Sequence, residues 1–176
     1  MPLKHYVEGA GSPRFLGIDP GATGGLAAID AYAGELAFCA RMPLLGKEID
    51  TETVFNILRG VVLDLAAKEE PPPLCILEKA HAMPGQGVVS MFNYGRGFGR
   101  LLGALEISGC PFRLVTPQAW QKAILGTGKR GKGNKDAEAA LAMRRWPEVK
   151  KLAQVKANNG AVDALLLAEY GRNKGA

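Results

Sequence analysis

Short apolar runs separated by turn residues indicate three strands in the first quarter of the chain, at about residues 14–19, 24–30 and 35–41. Their close spacing predicts a three-stranded antiparallel meander. Asp19 stands where the first strand ends, directly before the Pro20-Gly21 turn. Because aspartate before Pro-Gly is also ordinary turn chemistry, Asp19 gains a functional meaning only if other acids converge on it.

A second acid that could converge on Asp19 stands at the end of a buried strand, which follows a predicted helix. Apolar residues recur at helical spacing from an N-cap at Asp50 or Thr51, and the run from Leu74 to Glu78 is apolar until its last residue. A strand, a helix and a strand in series imply a crossover connection. If the two strands are parallel neighbours, Asp19 and Glu78 end at the same edge of the sheet.

The last predicted helix carries a third acid. At helical spacing, Asp163 shares a face with Leu166, Leu167 and Tyr170. A carboxylate on the apolar face of a helix is costly to bury unless it is paired or binds a metal. We therefore expect Asp163 to belong to a site.

The remaining apolar patterns complete an α/β fold, in which the meander and further parallel strands form a mixed sheet flanked by helices. They predict a helix at 88–108, a strand at 111–115 and helices at about 117–125, 135–146 and 161–170. In the first of these helices Gly95, Gly99 and Gly103 fall on one face at a cost in helix stability, which predicts close packing against the sheet or a second subunit.

Three converging carboxylates in a chain with two histidines favour a hard, oxygen-coordinated cation, Mg²⁺ or Mn²⁺. Without a cation, the repulsion between such acids would destabilise the fold. Next to a basic surface, the chemistry that fits this set is phosphodiester hydrolysis with two metal ions, one activating water and the other stabilising the leaving oxygen.

The length of 176 residues and a hydrophobic content of 47% fit one domain, which we place at residues 14–172 with a flexible lead-in at 1–13 and a short tail at 173–176. The three cysteines are widely spaced in apolar runs, which indicates neither a disulfide framework nor a zinc site. No run reaches the roughly 18 apolar residues of a membrane span. We expect a soluble, cytoplasmic protein.

The positive charge is concentrated in one part of the chain. Residues 111–156 hold 11 of the 22 lysines and arginines but only 3 of the 17 acids, which points to a polyanionic partner. The glycine-rich loop at 126–135 suits contacts with a phosphate backbone. Candidate nucleic-acid contacts are Lys129, Arg130, Lys132 and Lys135 in this loop, Arg96 and Arg100 on the glycine-bearing helix, and His81 and Gln86 in the loop after Glu78.

The order of these motifs resembles that of the RuvC-type Holliday junction resolvases, in particular their phage-borne and plastid-type branch, over about residues 14–172. The matching motifs are Ile18-Asp19-Pro20-Gly21, Leu77-Glu78, the Pro-Gly-Gln-Gly loop at 84–87, Val115-Thr116-Pro117 with Trp120, the helix start Lys135-Asp136, and Gly160-Ala161-Val162-Asp163-Ala164-Leu165. The ordered set is more specific than any single motif.

The resemblance implies an RNase H-like fold, a homodimer, and symmetrical nicking of four-way DNA junctions with two Mg²⁺ ions per site, which Mn²⁺ can replace. It also implies a prokaryotic or phage-encoded, nucleoid-associated protein. By the same resemblance Asp19, Glu78 and Asp163 match the metal-binding acids, and Lys135 matches a basic residue near the scissile phosphate. His81 stands where some members carry an aromatic residue that wedges into the junction, and histidine can stack on a base.

One position departs from the family pattern. A fourth acid or a histidine normally precedes the last aspartate by three to five residues, whereas this chain has Asn158 and Asn159 there. An asparagine carbonyl can ligate metal but brings no charge, so we expect Asn159 to bind one ion weakly and cleavage to be reduced or to favour Mn²⁺. Asp136 could supply the acid instead, although a place at a helix start favours a capping role.

Other functions remain open at this stage. The spacing of Asp19, Gly21 and Thr23 also resembles the first phosphate motif of the sugar kinase and actin superfamily, which would make the chain an ATP-dependent phosphotransferase. That superfamily pairs two related domains, and 176 residues show no second glycine-rich phosphate motif. The asparagines also allow a junction-binding protein with weakened or lost cleavage. A third alternative is a related nuclease acting on branched DNA or RNA hybrids in general.

Overall fold

The computed structural model describes residues 6–81, 85, 87–126, 134–154 and 159–175. The strands are β1 (Tyr6–Glu8), β2 (Phe15–Asp19), β3 (Gly25–Ile29), β4 (Leu36–Arg41), β5 (Leu44–Leu45), β6 (Glu48–Ile49), β7 (Leu74–Glu78) and β8 (Phe112–Val115). The helices are α1 (Thr51–Ala67), α2 (Val88–Ser108), α3 (Pro117–Leu125), α4 (Asn134–Arg145), α5 (Lys150–Ala153) and α6 (Asn159–Gly175).

Within the described residues, six strands form one mixed sheet in the order β1-β4-β3-β2-β7-β8. Strands β2, β3 and β4 are the predicted antiparallel meander, and β7 and β8 extend it as parallel neighbours beyond β2. The predicted α/β fold with a mixed sheet is therefore confirmed. The strand that ends in Asp19 lies inside the sheet, between β3 and β7.

The sheet begins earlier than the sequence indicates. Tyr6–Glu8 pairs antiparallel with β4 along the edge of the sheet, with Tyr6 opposite Ala40 and Glu8 opposite Phe38. Gly9 and Gly11 then donate backbone hydrogen bonds to Ala37 and Leu36. The predicted lead-in over residues 1–13 is therefore wrong from Tyr6 onward, because an edge strand of three residues is decided by its pairing partner and leaves almost no apolar pattern.

A hydrophobic core lies on each face of the sheet. Leu16 and Ile18 of β2 pack with the buried residues of α1 and α2. Gly17 points to the other face, where α6 crosses so closely that a Cβ on Gly17 would lie 1.9 Å from the carbonyl oxygen of Ala164. This close approach sets how near the acids of the strand and of the helix can come.

Helix α1 forms as its apolar spacing predicts. Val54, Leu58 and Leu65 are buried against the sheet. The Asp50 side chain caps the helix by accepting a hydrogen bond of 3.1 Å from the backbone N–H of Thr53 and another of 2.7 Å from the Thr53 hydroxyl. These bonds lower the pKa of Asp50 from its usual value.

Helix α2 has the predicted bounds, but its glycine face does not pack on the sheet. A Cβ on Gly95, Gly99 or Gly103 would meet no heavy atom of the described residues within 4 Å. The expectation of sheet packing is wrong because the buried face of the helix is the one that carries Leu101 and Leu105. Within the described residues, the glycine face is therefore open. None of the described helices is both long enough and apolar enough to cross a bilayer.

Candidate active site

The structure brings Asp19 and Glu78 to one edge of the sheet. They are the last residues of β2 and β7, which run parallel as neighbours with Ile18 opposite Leu77. Since strand side chains alternate between faces, Asp19 shares the face of Gly17 and therefore points towards α6. The predicted parallel pairing and the shared edge are confirmed.

Asp163 reaches the same edge through the first turns of α6. Gly160 forms a bridge with Gly24, and a Cβ on Gly160 would lie 2.7 Å from Oδ2 of Asp19. Asp163 follows one helical turn later and is half-buried, with its Oδ1 atom shielded from solvent. The start of α6 thus lies directly on the turn that carries Asp19, as a glycine at position 160 allows.

Glu78 is buried and held by a tryptophan. Its Oε2 atom accepts a hydrogen bond of 2.7 Å from Nε1 of Trp120 in α3, and its exposed fraction is 8%. The Thr116 hydroxyl caps this helix and Pro117 opens it, which places Trp120 on the first turn facing the sheet. In the sequence, Trp120 stands out only as part of the Val115-Thr116-Pro117 motif. An indole that falls on the inward face of a helix next to an acid-ended strand is the signal that could have identified the pair.

The donor atoms at this edge are carboxylate oxygens, the ligands that Mg²⁺ and Mn²⁺ prefer. Among the described side chains, no group of three or more His, Cys, Asp and Glu residues is arranged to hold a metal ion. Asp19, Glu78 and Asp163 therefore share an edge of the sheet, but their side chains are not arranged to coordinate one ion. The chemistry of the donors fits a hard cation, and turning the carboxylates towards a common ion would be required to bind it.

The other predicted site residues lie elsewhere in the sequence, and the structure describes only some of them. His81 is exposed three residues after Glu78, and Asp136 is exposed in the first turn of α4 instead of at its N-cap. Arg96 and Arg100 both form ion pairs with Glu48 of β6, at 2.5 and 3.0 Å. The residues Gln86, Lys129, Arg130, Lys132 and Asn158, and the side chains of Lys135 and Asn159, lie outside the described part of the chain.

Comparison with known proteins gives matches among solved structures alone. No protein-family model and no curated protein sequence matches the chain. The RuvC structure from Thermus thermophilus is similar with a TM-score of 0.51 and 17% identity, over 91% of this chain and 95% of that chain. The chain has a RuvC-type fold.

Two other solved structures are also similar to the chain. T. thermophilus RuvC in complex with a Holliday junction substrate matches with a TM-score of 0.51 and 17% identity, over 92% of this chain and 95% of that one. The yeast mitochondrial Holliday junction resolvase Ydc2 gives a TM-score of 0.49 and 12% identity, over 92% and 79%. In the RuvC-type fold of this chain, the acid-bearing edge is formed by β2, β7 and the start of α6.

Proposed function

We propose that the protein is a metal-dependent endonuclease that nicks four-way DNA junctions symmetrically. The observation that carries the proposal is the meeting of Asp19, Glu78 and the first turns of α6, which bear Asp163, at one edge of the sheet. It is supported by a RuvC-type fold that extends over nine-tenths of the chain, and by a similar structure that was solved with a Holliday junction substrate.

In this proposal Asp19, Glu78 and Asp163 would hold two Mg²⁺ or Mn²⁺ ions, with Asn159 as a weaker ligand. Such ions supply an activated water and stabilise the leaving oxygen of the phosphodiester. The protein contributes orientation. Trp120 fixes Oε2 of Glu78 and so orients this carboxylate at the edge of the sheet. Lys135, at the start of α4, is proposed to contact the scissile phosphate.

The basic part of the chain is proposed to hold the DNA backbone. The stretch 111–156 contains 11 lysines and arginines against 3 acids, and phosphate contacts of this kind position DNA without reading its sequence. Lys129, Arg130 and Lys132 would contribute here, and His81 and Gln86 would contact the junction next to Glu78. An enzyme of this kind would act on DNA in the cytoplasm, associated with the nucleoid.

A homodimer would supply the two active sites that symmetrical nicking requires. We assign the interface to the open glycine face of α2, because small residues let a second helix approach closely. Exposed apolar side chains on the same helix are Val88, Phe92 and Ile107, which are 85%, 68% and 72% exposed. A C₂ arrangement would bury this surface against its own copy.

A single set of assays tests the proposed function. Labelled four-way junction, duplex and RNA–DNA hybrid are each incubated with Mg²⁺, Mn²⁺ or EDTA, and the wild type is compared with Asp19→Asn. The expected result is paired nicking of the junction in Mg²⁺ or Mn²⁺, none in EDTA, and a loss of at least about a hundredfold in Asp19→Asn. Asp64→Asn, which changes an exposed acid on α1, is the matched control and keeps full activity.

Other results would redirect the proposal. Junction binding without nicking in either metal would indicate a junction-binding protein, and equal cleavage of all three substrates would indicate a general RNase H-like nuclease. ATP turnover or stabilisation by nucleotide would revive the phosphotransferase.

A further inference from the structure

A cleft with charged side chains in its lining lies beside the turn that follows Asp19. It has a volume of about 300 Å³ and lies between that turn, the short hairpin β5–β6 and the first half of α2. Lys47, Arg96 and Arg100 give it three cations. The Tyr94 ring connects it to the turn, because Cε2 lies 3.6 Å from the position that a Cβ on Gly21 would occupy.

Glu48 occupies the cationic wall of this cleft. Its Oε1 accepts a hydrogen bond of 2.5 Å from Nη2 of Arg96, and its Oε2 accepts one of 3.0 Å from Nη1 of Arg100. All three side chains are about half exposed, at 52%, 47% and 43%. Exposed ion pairs of this kind contribute little to stability, so holding the hairpin on α2 is a weak reason for the arrangement.

The geometry instead resembles that of a bound phosphate. Two guanidinium groups each donate to one oxygen of the same anion, which is how arginine pairs recognise the oxygens of a phosphate group. With Glu48 in place, the cleft carries three cations and one acid. The pKa of the nearby Asp50 is lowered by hydrogen bonds from Thr53 and, to a smaller extent, by the charge of Arg100.

We propose that this cleft binds a backbone phosphate of a nucleic-acid strand, and that Glu48 masks the phosphate position until the strand displaces it. The inference rests on the proposed function, because it supplies a binding subsite next to the acid-bearing edge. Glu48 can leave readily, since it lies on a two-residue strand whose neighbour Leu45 is 77% exposed.

Masking has a consequence for selectivity. Each phosphate that enters must replace the carboxylate on Arg96 and Arg100, so a ligand with few other contacts gains little from the cleft. A branched substrate that contacts the basic stretch at the same time offsets this cost. The mask would therefore weaken a duplex and a junction by the same free energy, and only a ligand with further contacts would still bind tightly.

The test compares Glu48→Gln with the wild type. This substitution keeps the shape of the side chain but removes its charge, and binding of a four-way junction and of a duplex of equal length is measured by fluorescence anisotropy in EDTA. We expect about threefold to tenfold tighter binding of both ligands, and a plot of log affinity against log salt that is steeper by about 0.9 for one added phosphate contact. Glu106→Gln, which changes an exposed acid near the other end of α2, removes the same charge and is the matched control.

Arg96→Ala extends the test. It should cost more affinity in the Glu48→Gln background than in the wild type, because the arginine contacts phosphate freely once the mask is removed. The proposal is overturned if Glu48→Gln binds no tighter than Glu106→Gln. It is equally overturned if Glu48→Gln lowers the melting temperature without a gain in affinity, since the ion pairs would then only attach the hairpin. A wild type that neither nicks nor prefers the junction, together with a Glu48→Gln gain on duplex, would refute the nuclease proposal and support the cleft.

Discussion

Nε1 of Trp120 donates a hydrogen bond of 2.7 Å to Oε2 of Glu78, and both side chains are buried. The bond connects α3 to the end of β7 and fixes the orientation of the carboxylate next to Asp19. Groups that orient a metal ligand from outside the coordination sphere typically change metal affinity or activity by about tenfold to a hundredfold when they are removed. Trp120 is thus a positioning residue for the proposed site.

Trp120→Phe keeps an aromatic ring in the core but removes the N–H donor. We expect junction cleavage to fall by about tenfold to a hundredfold. The free energy of unfolding should fall by about 1–3 kcal/mol, because a buried acceptor loses its donor. Cleavage rates at several Mg²⁺ concentrations and denaturant unfolding measure the two effects.

Trp146→Phe is the matched control for that variant. Nε1 of Trp146 donates a hydrogen bond of the same length, 2.7 Å, to the backbone oxygen of Gly34, in a part of the core away from the acids. It should lose comparable stability and keep its cleavage rate. Equal losses of cleavage in both variants would contradict a positioning role for Trp120.

Gly160→Ala should damage both the fold and the site. Its Cβ would lie 2.2 Å from the carbonyl oxygen of Thr23 and 2.4 Å from Cα of Gly24, and backbone atoms cannot move aside cheaply. Helix α6 must shift, which displaces Asp163 from Asp19. We expect a loss of about 1–3 kcal/mol in unfolding free energy, together with loss of cleavage.

An alanine substitution should instead raise the unfolding free energy where the glycine is exposed. Gly60 lies on the exposed side of α1, where a Cβ meets no described atom within 4 Å. Gly60→Ala should therefore raise the unfolding free energy by up to about 1 kcal/mol through helix propensity. If Gly160→Ala were also stabilising, the close contact between α6 and the Asp19 turn would be refuted.

The sequence predicted those parts of the fold whose information is local. The meander, α1 and β7 have apolar runs bounded by turn residues, and the pairing of β2 with β7 required only a crossover connection. The edge strand Tyr6–Glu8 was missed because its hydrogen bonds to β4 are tertiary. The hairpin that brings Glu48 to Arg96 was missed as well, because each of its strands has only two residues.

The three acids of the candidate site could be predicted from the sequence, whereas the contacts that orient them could not. Asp19, Glu78 and Asp163 each end a strand or share a helix face with apolar residues, which periodicity reveals. Helical spacing also placed Gly95, Gly99 and Gly103 on one face, but which way that face points depends on where Leu101 and Leu105 are buried. The Trp120 bond to Glu78 depends on how α3 packs beside β7, which no spacing encodes.

Asp50 makes the stability of α1 dependent on pH. Its pKa is lowered in the folded protein from the usual value of 3.8, by hydrogen bonds from the Thr53 hydroxyl and then from the Thr53 backbone. The stabilisation is therefore complete above pH 3.8 and is lost as the pH falls through the folded pKa. Asp50→Ala should cost about 1 kcal/mol at neutral pH.

Asp50→Asn is the matched variant, because asparagine caps a helix without a titrating charge. The difference in unfolding free energy between wild type and Asp50→Asn should shrink as the pH is lowered below about 4, measured by urea unfolding across the range. Parallel pH profiles for the two proteins would show that the capping bonds do not favour the charged form.

An acid in place of Asn158 or Asn159, where the family pattern has an acid or a histidine, should strengthen metal binding. Asn159→Asp or Asn158→Asp would add a charged oxygen ligand at the start of α6 or just before it, where the chain now has neutral amides. Junction cleavage should then exceed that of the wild type, with the larger gain in Mg²⁺ relative to Mn²⁺. No gain from either variant would show that three acids and an amide already suffice.

Gly99→Leu tests whether the open face of α2 joins two copies of the chain. A Cβ there would meet no described heavy atom within 4 Å beyond the neighbouring backbone of α2 itself, so the monomer should fold normally, but a leucine would prevent close approach of a second α2. Wild type should sediment as a dimer at micromolar concentration and Gly99→Leu as a monomer that cuts one strand at a time. Gly60→Leu, at an equally open position on α1, should remain dimeric and retain paired nicking. A wild-type monomer, or identical sedimentation of both variants, would move the interface away from α2.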